Sequence, residues 1–390
     1  SFECDVSMKR EVQPRLLTAL CYAAMMCLAI GINLLPVFLT SIGASFGEGS
    51  VLSREELGRL GAAAFGGLVV GILVTGPLAD RFGGKPFVLL ANVLTVLGLM
   101  GMAASPTFSI LLAMVFVVGL GAGMLDMILS PVVAALNPER RTAAMNWLHS
   151  YYPVGAVVTI LIGTVALAFD VGWRAVCWLV IVLPLGLVLA FLPMRFPDMV
   201  TDRGRTSTRS LCAKPWFLVA LAAIFLGGAT ELGMAQWLPA YAETSLGFSP
   251  TVAGVGLLLF SIAMALGRMV VGAMEARANA YLVLVVGSSL SVVLFLLGSF
   301  LENPLLALTA CVAAGFTGSS LWPTMLAVAA DRAPDGGASM FAALAAFGNA
   351  GGILMPWVIG VVGDARDLRW GLATSAIAPL LMLPLVWLLF

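Results

Sequence analysis

Gly76-Pro77-Leu78-Ala79-Asp80-Arg81-Phe82-Gly83-Gly84-Lys85 joins two apolar runs, each long enough to cross a bilayer. An acid, two bases and three glycines crowd a tight turn between two greasy helices. Charge is costly next to hydrocarbon, so a cluster this dense asks for a reason beyond an ordinary basic turn on the positive side of a membrane. The rest of the chain agrees with that setting. It is 61% hydrophobic and only 10% charged, with a mean hydropathy of +1.05, whereas soluble domains carry about 25% charged residues. Twenty Lys and Arg balance twenty Asp and Glu, so nothing points to nucleic acid or an acidic partner. One His and six Cys, with no Cys-x-x-Cys spacing, predict no metal site, no cofactor and no structural disulfides. Lys9, Arg10 and Arg15 precede an apolar run of about 25 residues, too long for the core of a cleaved signal.

Backbone groups in lipid must bond internally, so long apolar runs become helices. Twelve are predicted, at 16–40, 54–78, 86–104, 107–136, 142–168 and 172–194, then 216–242, 249–275, 279–300, 304–331, 337–362 and 369–390. The expected class is an all-α membrane protein of twelve transmembrane helices in two six-helix bundles. Fourteen of the twenty Lys and Arg fall on the side of both termini, five on the other, and Arg268 within a span. That asymmetry predicts cytoplasmic termini, and the absence of an Asn-x-Ser/Thr sequon fits a bacterial inner membrane. The polar stretch 195–215 reads as a cytoplasmic linker between an N-terminal bundle, 1–194, and a C-terminal bundle, 216–390.

The two bundles echo each other at an offset of 196 residues. Gly71 and Gly76 match Gly267 and Gly272; Arg81 matches Arg277; Gly119, Leu125 and Gly155 match Gly315, Leu321 and Gly351. At 197, Asp170 and Trp173 match Asp367 and Trp370. Parallel six-span repeats fit transporters that rock two bundles about a midplane site.

Intramembrane polar groups are the candidates for that site, because each is expensive to place. Four are ionisable. Asp126 follows the small-residue run Gly119-Leu-Gly121-Ala-Gly123 on span 4, near the midplane. It can carry a proton with a substrate or brace a neighbouring helix. His149 on span 5 comes to within a few ångströms of the same depth, by a rise of about 1.5 Å per residue. Asn146, His149 and Tyr152 share a helix face, offering donors, acceptors and an aromatic surface of the kind sugars need. His149 can also relay a proton or bridge helices. Glu231 on span 7 can bind a hydroxyl, take a proton or pair with a cation; Gln236 and Trp237 lie further out, as an outer rim. The glycines and Pro239 of that span would let it bend or unwind. Arg268 on span 8 reads as a gate or packing residue. Asn33, Trp322 and Asn349 complete the predicted substrate-binding set. The cytoplasmic gate set is Gly76, Asp80, Arg81, Gly83, Lys85, Arg140, Arg268 and Arg277.

The opening loop resembles the signature of the major facilitator superfamily, G-x-L-a-D-r-x-G-r-k, with Gly84 where a basic residue is usual. Nearly the whole chain resembles one branch, the fucose–proton symporter family of sugar permeases. The resemblance rests on Gly-Met-Leu-Asp126-Met-Ile-Leu-Ser-Pro-Val, Asn146-Trp-Leu-His149 with Gly155-Ala156, Glu231…Trp237-Leu-Pro-x-Tyr241, Trp322-Pro-Thr, and Met355-Pro356…Gly360…Gly363-Asp364. It implies the major facilitator fold and alternating access to a midplane sugar site, with symport driven by protons or sodium and Asp126 as the coupling acid. The family's second acid, on span 1, is replaced here by neutral Asn33. That leaves open one-acid coupling, help from His149 or Glu231, or facilitated diffusion.

The expected function is therefore secondary transport of a small polar solute, above all a sugar, by a monomer in the lipid bilayer. The alternative is proton-driven export of drugs or lipophilic metabolites. Exporters usually carry G-x-x-x-G-P-x-x-G-G in span 5, which this chain lacks. Neither Gly-x-Ser-x-Gly nor His-Glu-x-x-His occurs in a span, so no enzyme is expected.

Overall fold

The computed structural model describes residues 14–46, 51–137, 141–197, 208–273, 279–333 and 337–390. The side chains at 80, 141–146, 208–209, 272–273, 330, 337–339 and 341 are outside that description. Arg140 and Arg277 of the predicted gate lie outside the described residues, as do the side chains of Asp80 and of Asn146 from the predicted binding set.

Among the described residues twelve helical segments are long and apolar enough to span a membrane. Spans 1 to 6 are Pro14–Val37, Arg54–Ala79, Gly84–Ala104, Phe108–Leu136, Trp147–Ala168 and Trp173–Phe191. Spans 7 to 12 are Pro215–Thr244, Pro250–Val271, Ala280–Phe300, Pro304–Ala329, Ala342–Ala365 and Leu368–Leu389. No strand occurs among the described residues.

Local chemistry sets the helix ends. Ser53 and Glu56 form a reciprocal capping box at the start of span 2. Thr107, Asn303 and Asp367 cap spans 4, 10 and 12 through their side chains. In the opening loop Gly83 takes φ 77° and its N–H bonds the Ala79 carbonyl. This left-handed turn lets the helix stop at Phe82 and another begin at Gly84, and it is cheap only for glycine.

The offset of 196 residues reappears as packing. A Cβ at Gly71 would strike the Leu120 carbonyl oxygen, and one at Gly267 would strike that of Phe316. Gly119 lies on the Ala64 carbonyl and Gly315 on the Phe260 carbonyl, where a Cβ would come within 2.8 Å. Each of these partners is itself 196 residues from its counterpart. Small residues here bring backbones together, as membrane helices need when lipid removes the hydrophobic drive.

Span 10 breaks after Gly318 and resumes at Leu321, within the glycine-, serine- and proline-bearing stretch Gly315 to Pro323. Span 7, whose glycines and Pro239 suggested a bend, is continuous from Pro215 to Thr244. Its glycines are spent on contact instead, Gly228 against the Gly348 carbonyl and Gly233 against Met355. In the most apolar stretches of spans 1 and 7, 72% and 61% of residues are buried, against 28% in span 9. Spans 1 and 7 thus lie at the centre, on the seam between the halves.

Candidate functional site

The seam is bonded at one end. Twelve alternating spans put residues 38–46, 51–53 and 365–367 at the end opposite Pro14 and Phe390. A set of hydrogen bonds joins the two halves toward that end. Asp364 accepts the backbone N–H of Arg54 at 2.8 Å and of Glu55 at 2.6 Å, one on each carboxylate oxygen. A carboxylate of the second half thus caps a helix of the first, where the free N–H groups and the helix dipole favour an anion. Arg54 Nη1 donates to the Gly363 carbonyl at 2.5 Å, and Trp357 Nε1 donates to Glu55 at 2.6 Å. Thr40 donates to Glu243 at 2.6 Å. One step deeper, Gln236 Nε2 donates to the Ile32 carbonyl at 3.3 Å.

Below this seal lies a polar cluster drawn from five spans. Its meeting point is Tyr152 on span 5. The Tyr152 hydroxyl is set against the Asn33 carboxamide of span 1 and lies within electrostatic range of Glu231, Arg268 and Asp126. Asn33 also donates to its own helix, to Ala29 at 2.8 Å. Asp126 is partly buried, lies within electrostatic range of His149, and forms no hydrogen bond among the described residues. His149 is exposed, and its Nε2 lies 3.3 Å from Ser130 Oγ.

On the other side of the seam the charges are paired. Arg268 Nη2 lies 2.9 Å from both Glu231 oxygens, and its Nε donates to the Ser319 carbonyl at 3.1 Å. The two halves therefore hold different electrostatic states at one depth: an acid without a cationic clamp, and a closed ion pair. Arg268, grouped by sequence with the gate, is here joined to Glu231 and to the break in span 10.

The remaining predicted residues distribute as follows. Gln236 and Trp237 are buried, and Trp237 Nε1 donates to the Pro356 carbonyl at 2.8 Å. They belong to the seal. Trp322 packs its indole on Gly348, and Asn349 donates to Ala345 of its own helix at 3.0 Å. In the opening loop, Lys85 Nζ reaches the Leu192 carbonyl at 2.7 Å, at the end of span 6, where a cation meets a helix C-terminus. Arg81 lies 5.3 Å from the Phe82 ring centroid. Gly76 approaches only Met127.

Sequence reasoning missed the seal residues Thr40, Arg54, Glu55, Glu243 and Asp364. Two signals were present: Ser53-x-x-Glu56 marks a helix start with exposed N–H groups, and Gly363-Asp364 closes span 11 with a lone carboxylate. Neither says that the two meet across 310 residues.

Comparison with known proteins bears on what this arrangement serves. The sequence model of the Major Facilitator Superfamily matches residues 21–339 and, in a second match, 244–390. The probable nitrate/nitrite transporter NarK2 of Mycobacterium tuberculosis is 26% identical, over 84% of each chain. The cis,cis-muconate transport protein of Acinetobacter baylyi is 29% identical, over 62% of this chain and 61% of its own. The solved structure of the E. coli fucose:proton symporter superposes with a TM-score of 0.66 at 17% identity, covering 97% of this chain and 99% of that one. At that identity the likeness speaks for the fold alone.

Proposed function

This chain belongs to the major facilitator superfamily, and from that premise we propose that it takes up a small polar solute by alternating access, driven by symported protons. It is a multi-pass membrane transporter and not an enzyme. The observation that carries the coupling is Asp126. It is a carboxyl at membrane depth, beside His149 and next to the Tyr152 cluster, with no hydrogen bond among the described residues. Such an acid is free to exchange a proton as the site changes sides, whereas a carboxylate held in an ion pair can do so only when another anion takes its place on the cation.

With the termini in the cytoplasm, the bonded end is the outer one. The state is then outward-closed. Rocking to the outward-open state requires the seal around Asp364 to part. Asn33, Tyr152 and His149 supply a carboxamide, a phenol and an imidazole, a donor and acceptor set suited to hydroxylated solutes, and a sugar is the first substrate class to test. A second reading, a small organic or inorganic anion, is favoured by Arg268 at the same depth and by relatives named for nitrate and muconate. The lipid bilayer and the solute are the expected partners, and a monomer suffices.

The test is uptake into liposomes holding the purified protein, with sugars and organic acids offered with and without proton or sodium gradients. Accumulation that follows the proton gradient is expected. Uptake indifferent to both gradients overturns symport. Asp126→Asn is expected to abolish accumulation against a gradient while leaving a folded protein by size exclusion; wild-type accumulation would make Asp126 a structural acid.

A further inference from the structure

We infer that Arg268 is the docking group for a carboxylate on the substrate, and that Glu231 holds its place while the site is empty. The inference rests on the transporter reading above and narrows it to a class of cargo: a small carboxylate that also carries hydroxyl or aromatic groups.

The geometry of the pair is that of a placeholder. Guanidinium binds carboxylate most firmly through two nitrogens, each facing one oxygen. Here a single nitrogen, Nη2, meets both Glu231 oxygens at 2.9 Å, while Nε is turned to the Ser319 carbonyl. Nη1 makes no hydrogen bond among the described residues, so the Nη1–Nη2 edge keeps capacity for a second anion. Exposure points the same way. The Arg268 side chain is 28% exposed and that of Glu231 11%, so it is the cation that faces open space.

Electrostatics then restricts what can happen. Removing one partner of a buried pair leaves an uncompensated charge, which is far costlier than exchanging one anion for another. Arg268 can release Glu231 only if a second carboxylate arrives and Glu231 takes a proton. The balance is simple. The empty site holds Glu231 carboxylate and Arg268 guanidinium. The loaded site holds the protonated acid, the guanidinium and the substrate carboxylate. Its net charge is unchanged, because one proton and one monoanion have entered together. No covalent bond changes.

The other titratable groups that face the pair belong to the first half: Tyr152 on span 5, and Asp126 on span 4 with His149 behind it. Ionised Asp126 would repel an incoming carboxylate, so its protonation favours loading too. Glu231→Gln separates the two acids, since it keeps Asp126. Tyr152 lies within electrostatic range of Arg268 across the seam, with Asn33 against its hydroxyl, where the two would meet the hydroxyls or ring of a carboxylate held by the guanidinium.

The test is binding to the full chain in nanodiscs, with gluconate paired against glucose and benzoate paired against benzyl alcohol. All four are titrated between about pH 5.5 and about pH 8, a range over which gluconate and benzoate stay ionised. In the wild type at least one carboxylate is expected to bind about tenfold or more tighter than its neutral partner, and to weaken as pH rises. Glu231→Gln is expected to retain that preference with a flatter pH dependence. Arg268→Gln is expected to lose the preference, with Arg268→Lys, which keeps the charge, recovering part of it. Equal binding of acids and neutral partners overturns the inference, as does a preference that survives Arg268→Gln. Binding of no carboxylate at any pH overturns it as well. In that case transport of glucose would leave the transporter reading standing, and transport of nothing offered would count against both.

Discussion

Asp364→Asn should open the bonded end of the seam. In the structure each carboxylate oxygen of Asp364 accepts one backbone N–H at the start of span 2. Asparagine keeps one acceptor and points an NH2 group at the other N–H. One charge-assisted hydrogen bond is lost, worth about 1.5–3 kcal/mol. The attraction of a carboxylate for the helix N-terminus is lost with it, about 0.3–1 kcal/mol. Asp364 is exposed, so water recovers part of both, and the net cost is about 1.5–2 kcal/mol. That multiplies the ratio of open to closed seal by about 10 to 30. A cysteine in place of buried Ala240, on the stretch of span 7 toward the bonded end, reports the opening. In a cysteine-depleted protein in nanodiscs, its maleimide labelling rate follows the open fraction when opening is fast, so a rise of about 10- to 30-fold is expected. An unchanged rate would refute the claim that this cap holds the halves together, and with it the assignment of this end as the gate.

Gly119→Ala places a methyl on the Ala64 carbonyl where spans 2 and 4 touch. Overpacking of this kind costs about 1–3 kcal/mol and should lower the melting temperature of the detergent-solubilised protein; an unchanged melting curve would show that the helices part freely. Trp237→Phe keeps an aromatic side chain but trims the indole to a phenyl and removes the hydrogen bond to the Pro356 carbonyl. It should cost about 1–2 kcal/mol in thermal stability while leaving affinity for any transported solute within twofold, about the precision of such a titration. A selective loss of affinity would instead return Trp237 to the substrate site.

The fold was legible because lipid enforces it. Each predicted span begins or ends within a few residues of its helix, since an apolar run in a bilayer has only one way to satisfy its backbone. The repeat was legible too, because close helix crossings demand small residues at fixed positions, and Gly71, Gly119, Gly267 and Gly315 mark them. The members of the polar cluster stood out as Asp126, His149, Glu231 and Arg268, each anomalous in an apolar helix. The pairing of these charges was not. Nothing in a linear sequence tells whether Glu231 meets Arg268, 37 residues away, or Asp126. Gln236 and Trp237 read as an outer rim of the binding site because they follow Glu231 further out along span 7. They are buried because the two halves close over them.

The offset of 196 residues separates scaffold from chemistry. Applied to packing positions it returns the same contact: Gly71 on Leu120 becomes Gly267 on Phe316. Applied to the charged positions it returns neutral residues: Asp126 maps to Trp322, His149 to Ala345, Glu231 to Leu35 and Arg268 to Ile72. Tyr152 maps to Gly348, on which Trp322 itself packs, so the span 4–span 5 juncture carries an acid and a phenol where its mate carries an indole on a glycine. Two bundles that rock against each other need matched helix crossings, because the motion is shared. They do not need matched charges, because the proposed symport requires one group to gain a proton while another holds or releases the cargo. An acid without a clamp in one half and an acid already clamped in the other meet that requirement. Had both halves carried a closed pair, neither acid could exchange a proton without a second anion to take its place on the cation. Had both carried an unpaired acid, two ionised carboxylates would repel across the seam and drive it apart.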